Sequence, residues 1–188
     1  HSFEPIPSTF KLLTKNIKLN DFKNIKLNNF GFSNEDKDIS FYYYKEGSGN
    51  SSLMNLADSS DVSTVSSRVT KLDNYMKTNN HSLDFIKCDV EGAELLVVKG
   101  GLKRIEKHKP ILFLEILRKW AHKFGYHPNE IIEILKSLNY RCFKVKSTKL
   151  SEVIAISDSE EATNFFFLDN ERHKDLIIKY VFHPSIDI

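Results

Sequence analysis

Residues 83–115 constrain this chain more than any other stretch. Leu83, Phe85, Ile86 and Val90 form an apolar run of strand length, closing in Asp89, Val90, Glu91 and Gly92, where carboxylates and a glycine take over. From Ala93 the period changes. Leu95, Val98, Leu102 and Ile105 recur at helical spacing, while Lys99, Lys103, Arg104 and Lys107 take the opposite face. Glu91 and Glu94 stand where a helix N-terminus favours negative charge; Lys107, His108 and Lys109 stand where its C-terminus favours positive charge, before Pro110 stops it. The spacing therefore predicts one helix from Ala93 to this proline. Residues 111–114 then form a second apolar run, too continuous for a strand with one wet face, and it ends at Glu115.

Strand, helix, strand in so short a span is a βαβ unit, whose right-handed crossover makes the two strands parallel. Asp89 and Glu115 are then expected on the same edge of the sheet. Open parallel sheets bind ligands outside the carboxyl ends of their strands, where helix N-termini also point. This chain has placed acids there.

The flanking sequence extends an α/β pattern. Phe3 and Glu4 read as the end of a strand, since Pro5 cannot continue the ladder. Ser8 is a candidate cap for a helix with Phe10, Leu13 and Ile17 as its buried stripe, ending near Asn20. Residues 24–32 alternate and then shift phase at Asn28 and Asn29, which predicts a strand with a bulge or break. Residues 39–44 alternate again and are expected to pair with that neighbour as a hairpin. The segment 46–67 turns to Gly, Ser, Asn and Asp and reads as a long mobile surface loop, either a lid or an insertion without a role. Leu72, Tyr75 and Met76 suggest a short helical turn. Residues 117–124 read as helical, and His127, Pro128 and Asn129 open another helix with Ile131, Ile132, Leu135 and Leu138 on its core face. Residues 141–145 and 164–168 form two final strands, expected to run antiparallel, with polar loop at 157–161 between them.

At 188 residues and 40% apolar, the chain can bury one sizeable core and is expected to form a single domain. A formal charge of +2, without basic clusters, argues against nucleic acid as a partner. Cys88 and Cys142 suit buried free thiols in a reducing, cytoplasmic setting, and no apolar run reaches the roughly 20 residues of a membrane span. Oligomerisation is left open. The chain opens on His1 rather than Met, which reads as a fragment.

Phe3-Glu4-Pro5 followed by a helix, the run from Ile86 through Asp89, Val90, Glu91 and Gly92 to Glu94, Lys99-Gly100-Gly101, and Lys109-Pro110 leading to Glu115-Ile116 together resemble the FkbM family of S-adenosylmethionine-dependent methyltransferases. The likeness runs on to the late strand at 164–168. It implies a Rossmann-like class I methyltransferase sheet, mostly parallel with an antiparallel C-terminal strand pair, and methylation of hydroxyl groups on sugars and related small molecules. It also implies that Phe3, Glu4, Pro5, Asp89 and Val90 bind S-adenosylmethionine, Glu4 through the ribose hydroxyls, with Asp89 beside the methionine end and the substrate hydroxyl. Such enzymes carry a glycine-rich turn ahead of the Phe-Glu-Pro strand. None stands before Phe3, so the chain is expected to be N-terminally incomplete, to lack part of the cofactor pocket, and to leave strand edges for another chain to cover.

Methyl transfer from a sulfonium is an in-line displacement in which positioning does most of the work and a base takes the hydroxyl proton. Asp89, Glu91 and Glu115 are the candidate catalytic carboxylates; His122 and His127 are lesser candidates that read as surface residues. No metal is required, although clustered acids could hold a divalent cation. Each acid also has a plain structural reading: Asp89 caps the helix, Glu91 complements its dipole, and Glu115 pairs with Arg118 or Lys119. Two other classes stay open, a metal-dependent sugar-nucleotide transferase, against which the lack of an Asp-x-Asp pair speaks, and an inactive interaction module.

Overall fold

A computed structural model describes residues 1–43, 52–53, 63–78 and 81–181. They divide into two compact units, His1–Asn80 with Leu96–Gly101, and His81–Leu95 with Leu102–Ile188.

In the first unit, β1 (Ser2–Phe3) pairs in parallel with β2 (Leu27–Asn28), and α1 (Pro7–Leu19) follows directly from the Phe-Glu-Pro corner. The expected Ser8 cap is corrected. Ile6 precedes the helix and Pro7 occupies its first position, where a missing N–H costs nothing and the fixed φ is already helical. Phe10, Leu13 and Ile17 form the inward stripe as expected, but each is only half-buried. The break at Asn28 and Asn29 is real: β3 (Gly31–Phe32) resumes in a different sheet. That sheet has the order β3-β5-β4, with β4 at Lys37–Tyr43 and β5 at Ser63–Thr70.

The expected hairpin between β4 and its predecessor does not form. β4 instead runs antiparallel to β5, with Phe41 opposite Val65 and Lys37 opposite Val69, while β3 flanks the other side of β5 in parallel. The physical reason is core formation, because this register gathers Phe41 and Val69 over Ile6. Most of the segment 46–67, read from sequence as a mobile loop, lies outside the described residues; its last part, from Ser63, is ordinary strand. The expected turn is α2 (Leu72–Tyr75). Phe3, Phe30, Phe32 and Tyr75 pack as a ring cluster, Phe3 and Phe32 lying 4.4 Å apart between centroids.

The second unit holds a five-stranded sheet of order β6-β7-β10-β8-β9. Its strands are β6 (Phe85–Cys88), β7 (Ile111–Glu115), β8 (Tyr140–Lys146), β9 (Lys149–Glu152) and β10 (Asn164–Asp169). β6 and β7 are parallel, Cys88 opposite Leu114, as the βαβ reading requires. The antiparallel part is larger than a C-terminal pair: β10 runs against both β7 and β8, and β9 against β8 through a tight turn. Helices α5 (Arg118–Lys123), α6 (Asn129–Ser137) and α7 (Lys174–Tyr180) complete the unit, the last of them and β9 unforeseen from sequence.

The single helix predicted after Ala93 is two, α3 (Glu94–Gly100) and α4 (Leu102–His108). Gly100 and Gly101 divide them. A Cβ at Gly100 would lie 2.0 Å from the Ser33 carbonyl oxygen, so only glycine lets that backbone approach. Among the described residues no helix is long and apolar enough to cross a membrane.

Candidate active site

Glycine chemistry shapes the turn after β6. Glu91 adopts φ of 52° and Gly92 of 100°, so the chain reverses sharply before α3 begins at Glu94. Helix α5 lies over this turn. A Cβ on Gly92 would sit 2.9 Å from the Phe124 ring and from the Trp120 Cβ.

The turn holds two acids outward and one inward. Glu94 is only 1% exposed. Its Oε1 accepts from the amides of Val90 at 3.1 Å and Gly92 at 3.2 Å, and its Oε2 accepts from the Tyr126 hydroxyl at 3.3 Å. Tyr126 also donates to the Gly92 carbonyl at 3.0 Å. Burial raises the Glu94 carboxyl above its ordinary range, and these donors work in the opposite direction. Burial and the Glu94 carboxylate likewise push the Tyr126 phenol far up, so it stays a donor. Glu94 therefore braces the turn that leads into α3.

Asp89 and Glu115 extend from the carboxyl ends of the neighbouring parallel strands β6 and β7, and their side chains interact directly. Desolvation, then the Asp89 charge and hydrogen bond, raise the Glu115 carboxyl, while Lys87 opposes them. Lys87 also pairs with Asp89 at 2.8 Å. Glu91 lies on the same edge: desolvation raises it first, the charges of Asp89 and Glu115 next, and Lys119 and the Trp120 indole N–H oppose the shift. The structure thus gathers all three candidate carboxylates. Arg118 is engaged by Asp158 instead of Glu115. His122 is exposed, and His127 Nδ1 accepts from the Asn129 amide, an end-of-helix role. Among the described residues no group of three or more His, Cys, Asp or Glu side chains is arranged to hold a metal ion.

In the other unit, Glu4 closes the Phe-Glu-Pro corner. Its Oε1 accepts from the Ile6 amide at 2.7 Å, and its second oxygen makes no hydrogen bond among the described residues. Burial raises its carboxyl against that bond. The Asn29 amide donates to the Glu4 and Pro5 carbonyls at 2.8 and 3.2 Å, and the Asn28 amide to Ser2 and Lys26. In the sequence these asparagines mark only a break; no local signal marks their side chains as the clasp of a corner some twenty-five residues away. Val90 contributes its amide to Glu94, and Phe3 joins the ring cluster.

Residues 1–142 match the family model described as the Methyltransferase FkbM domain; the strand at 164–168 lies beyond it. The chain is 25% identical over 117 residues to "Methyltransferase 1" of Beauveria bassiana (strain ARSEF 2860), a match that spans 53% of this chain and 47% of that protein. The crystal structure of Methyltransferase FkbM from Methylobacillus flagellatus KT superposes with a TM-score of 0.51 at 14% identity, over 88% of this chain and 35% of that one, so the chain corresponds to less than half of each relative. That likeness shows a shared Rossmann-like class I fold. By the match over residues 1–142, the chain belongs to the methyltransferase FkbM domain family.

Proposed function

We propose that this chain carries out S-adenosylmethionine-dependent methyl transfer to a hydroxyl oxygen of a saccharide or related small molecule. The observation that carries the reading is the Asp89–Glu115 carboxyl pair at the ends of two parallel strands. Two carboxylates in contact repel a second negative charge, so the pair takes up a proton more readily than a lone carboxylate does. That is the property a base needs when it receives the acceptor's proton.

The donor supplies an electrophilic methyl group on a sulfonium. As the methyl group passed from sulfur to the acceptor oxygen, the single proton lost by the hydroxyl would be taken up by the Asp89–Glu115 pair. Glu91, hydrogen-bonded by Trp120, lies on the same edge as the pair. Glu4 fits a ribose diol, because one of its oxygens is fixed by Ile6 and the other is left to accept from hydroxyls. Phe3 and Pro5 set the corner that presents it. The free, buried Cys88 and Cys142 support action in a reducing cell interior.

Calorimetric titration with S-adenosylmethionine tests the reading. Saturable binding is expected, weakened by about 10–100-fold in Glu4→Ala, as for one lost hydrogen bond to a charged group. Binding that ignores Glu4→Ala removes Glu4 from the site, and no binding at all favours an interaction module.

A further inference from the structure

Glu94 and Tyr126 take no part in the proposed chemistry, yet they are the most completely buried polar pair beside it. Glu94 is 1% and Tyr126 8% exposed, and neither can reach an acceptor in solvent. Their hydrogen bonds end on the backbone of the turn, on the first residues of α3 and on each other. The amide that Glu94 accepts from at Val90 belongs to the peptide bond leaving Asp89, and the Gly92 amide and carbonyl are fixed by Glu94 and Tyr126 respectively. On its other side Asp89 follows Cys88, which is locked opposite Leu114 in the parallel ladder. Asp89 therefore sits between two fixed peptide units, on a turn whose Glu91 and Gly92 both hold positive φ.

We propose that Glu94 and Tyr126 are positioning residues that clamp the turn at 90–92 and so keep the Asp89 carboxyl against that of Glu115. Their effect is exerted through the backbone. A turn released from the clamp can relax its left-handed residues and swing Asp89 toward solvent and Lys87, its existing ion-pair partner. The clamp rests on the reading of Asp89 and Glu115 as the base only for its functional consequence; the geometry it controls exists without cofactor or substrate.

The test is a carboxyl titration by NMR of the unliganded protein, following Glu115 in the wild type, Tyr126→Phe, Glu94→Gln and Glu94→Ala. The charged groups recorded against Glu115 are Lys87 of β6, Asp89 just after it and Glu91 of the turn, and all are kept in every variant. Tyr126→Phe removes one hydroxyl from a ring that otherwise still packs. Its expected result is a Glu115 midpoint lower by roughly half a unit or more, as Asp89 moves away. Glu94→Ala should move it at least as far, whereas Glu94→Gln keeps an acceptor for Val90 and Gly92 and should hold the wild-type midpoint. A Glu115 midpoint unchanged in folded Tyr126→Phe overturns the clamp, even if Glu94→Ala proves too unstable to measure. An intact clamp in a protein that transfers no methyl group would instead remove the base reading alone.

Discussion

Asp89 and Glu115 stand side by side because their strands are parallel and in register: Cys88 faces Leu114, so the residues that follow each must meet. The Glu115 carboxyl is raised by its partly buried position and by Asp89. Asp89→Asn is therefore expected to lower the Glu115 midpoint, read by carboxyl NMR. A folded pKa raised above the unfolded value favours the folded state below the unfolded pKa, and that advantage is lost as pH rises through the folded one. Removing the Asp89 charge should thus leave the Tm at neutral pH equal or higher. A fall in Tm would mean that Asp89 supports the fold.

Two glycines carry more constraint than their composition suggests. Gly92→Ala must place a methyl 2.9 Å from Phe124 and Trp120 at a φ of 100°, and a cost of about 2–4 kcal/mol in chemical denaturation is expected. Gly100→Ala should be destabilising too, despite alanine's advantage of about 1 kcal/mol inside helices, because its methyl meets backbone at Ser33 rather than a movable side chain.

The start of β7 and the end of β10 are joined by a buried carboxylate. Asp169 accepts from the amides of Glu171 at 3.0 Å and Arg172 at 2.9 Å, and Lys109 lies 3.3 Å away. Burial alone would raise its carboxyl, but those amides and the Lys109 ammonium outweigh it and hold it below the ordinary range. A depressed pKa gives stability that is present above the unfolded value, near 3.9 for aspartate, and is lost as pH falls through the folded one. Asp169→Asn should flatten that acid-side loss in denaturation measured from pH 5 downward. Asp169→Ala should cost about 2–4 kcal/mol at pH 7, because two amides lose their acceptor and Lys109 loses its ion-pair partner.

Asn29→Ala removes the two hydrogen bonds from its amide to the Glu4 and Pro5 carbonyls, leaving the Ser67 hydroxyl on Pro5, and an unfolding cost of about 1 kcal/mol is expected. Because the same bonds fix the corner bearing Glu4, cofactor affinity should fall as well. Affinity equal to wild type would show that the corner holds its shape without them.

The βαβ unit was legible because its two periods are unmixed: β6 is apolar but for Lys87, β7 is apolar up to Glu115, and the stripe Leu95, Val98, Leu102, Ile105 keeps helical spacing. The meeting of Asp89 with Glu115 followed from that alone. The helix break was hidden, since the demand on Gly100 comes from Ser33, far away in sequence. Position alone makes Glu94 a dipole partner, because its role as acceptor in the turn is completed by the Tyr126 hydroxyl, thirty-two residues later. The hairpin failed for a similar reason: alternation in β4 shows which face is apolar, not which strand lies beside it.

The most direct test is transfer of a labelled methyl group from saturating S-adenosylmethionine to a panel of saccharides and small alcohols, comparing wild type with Asp89→Asn and Glu115→Gln. Transfer to a hydroxyl oxygen is expected, slowed about 10²–10⁴-fold by Asp89→Asn, the range for a lost general base. Transfer by Asp89→Asn at the wild-type rate would contradict the account.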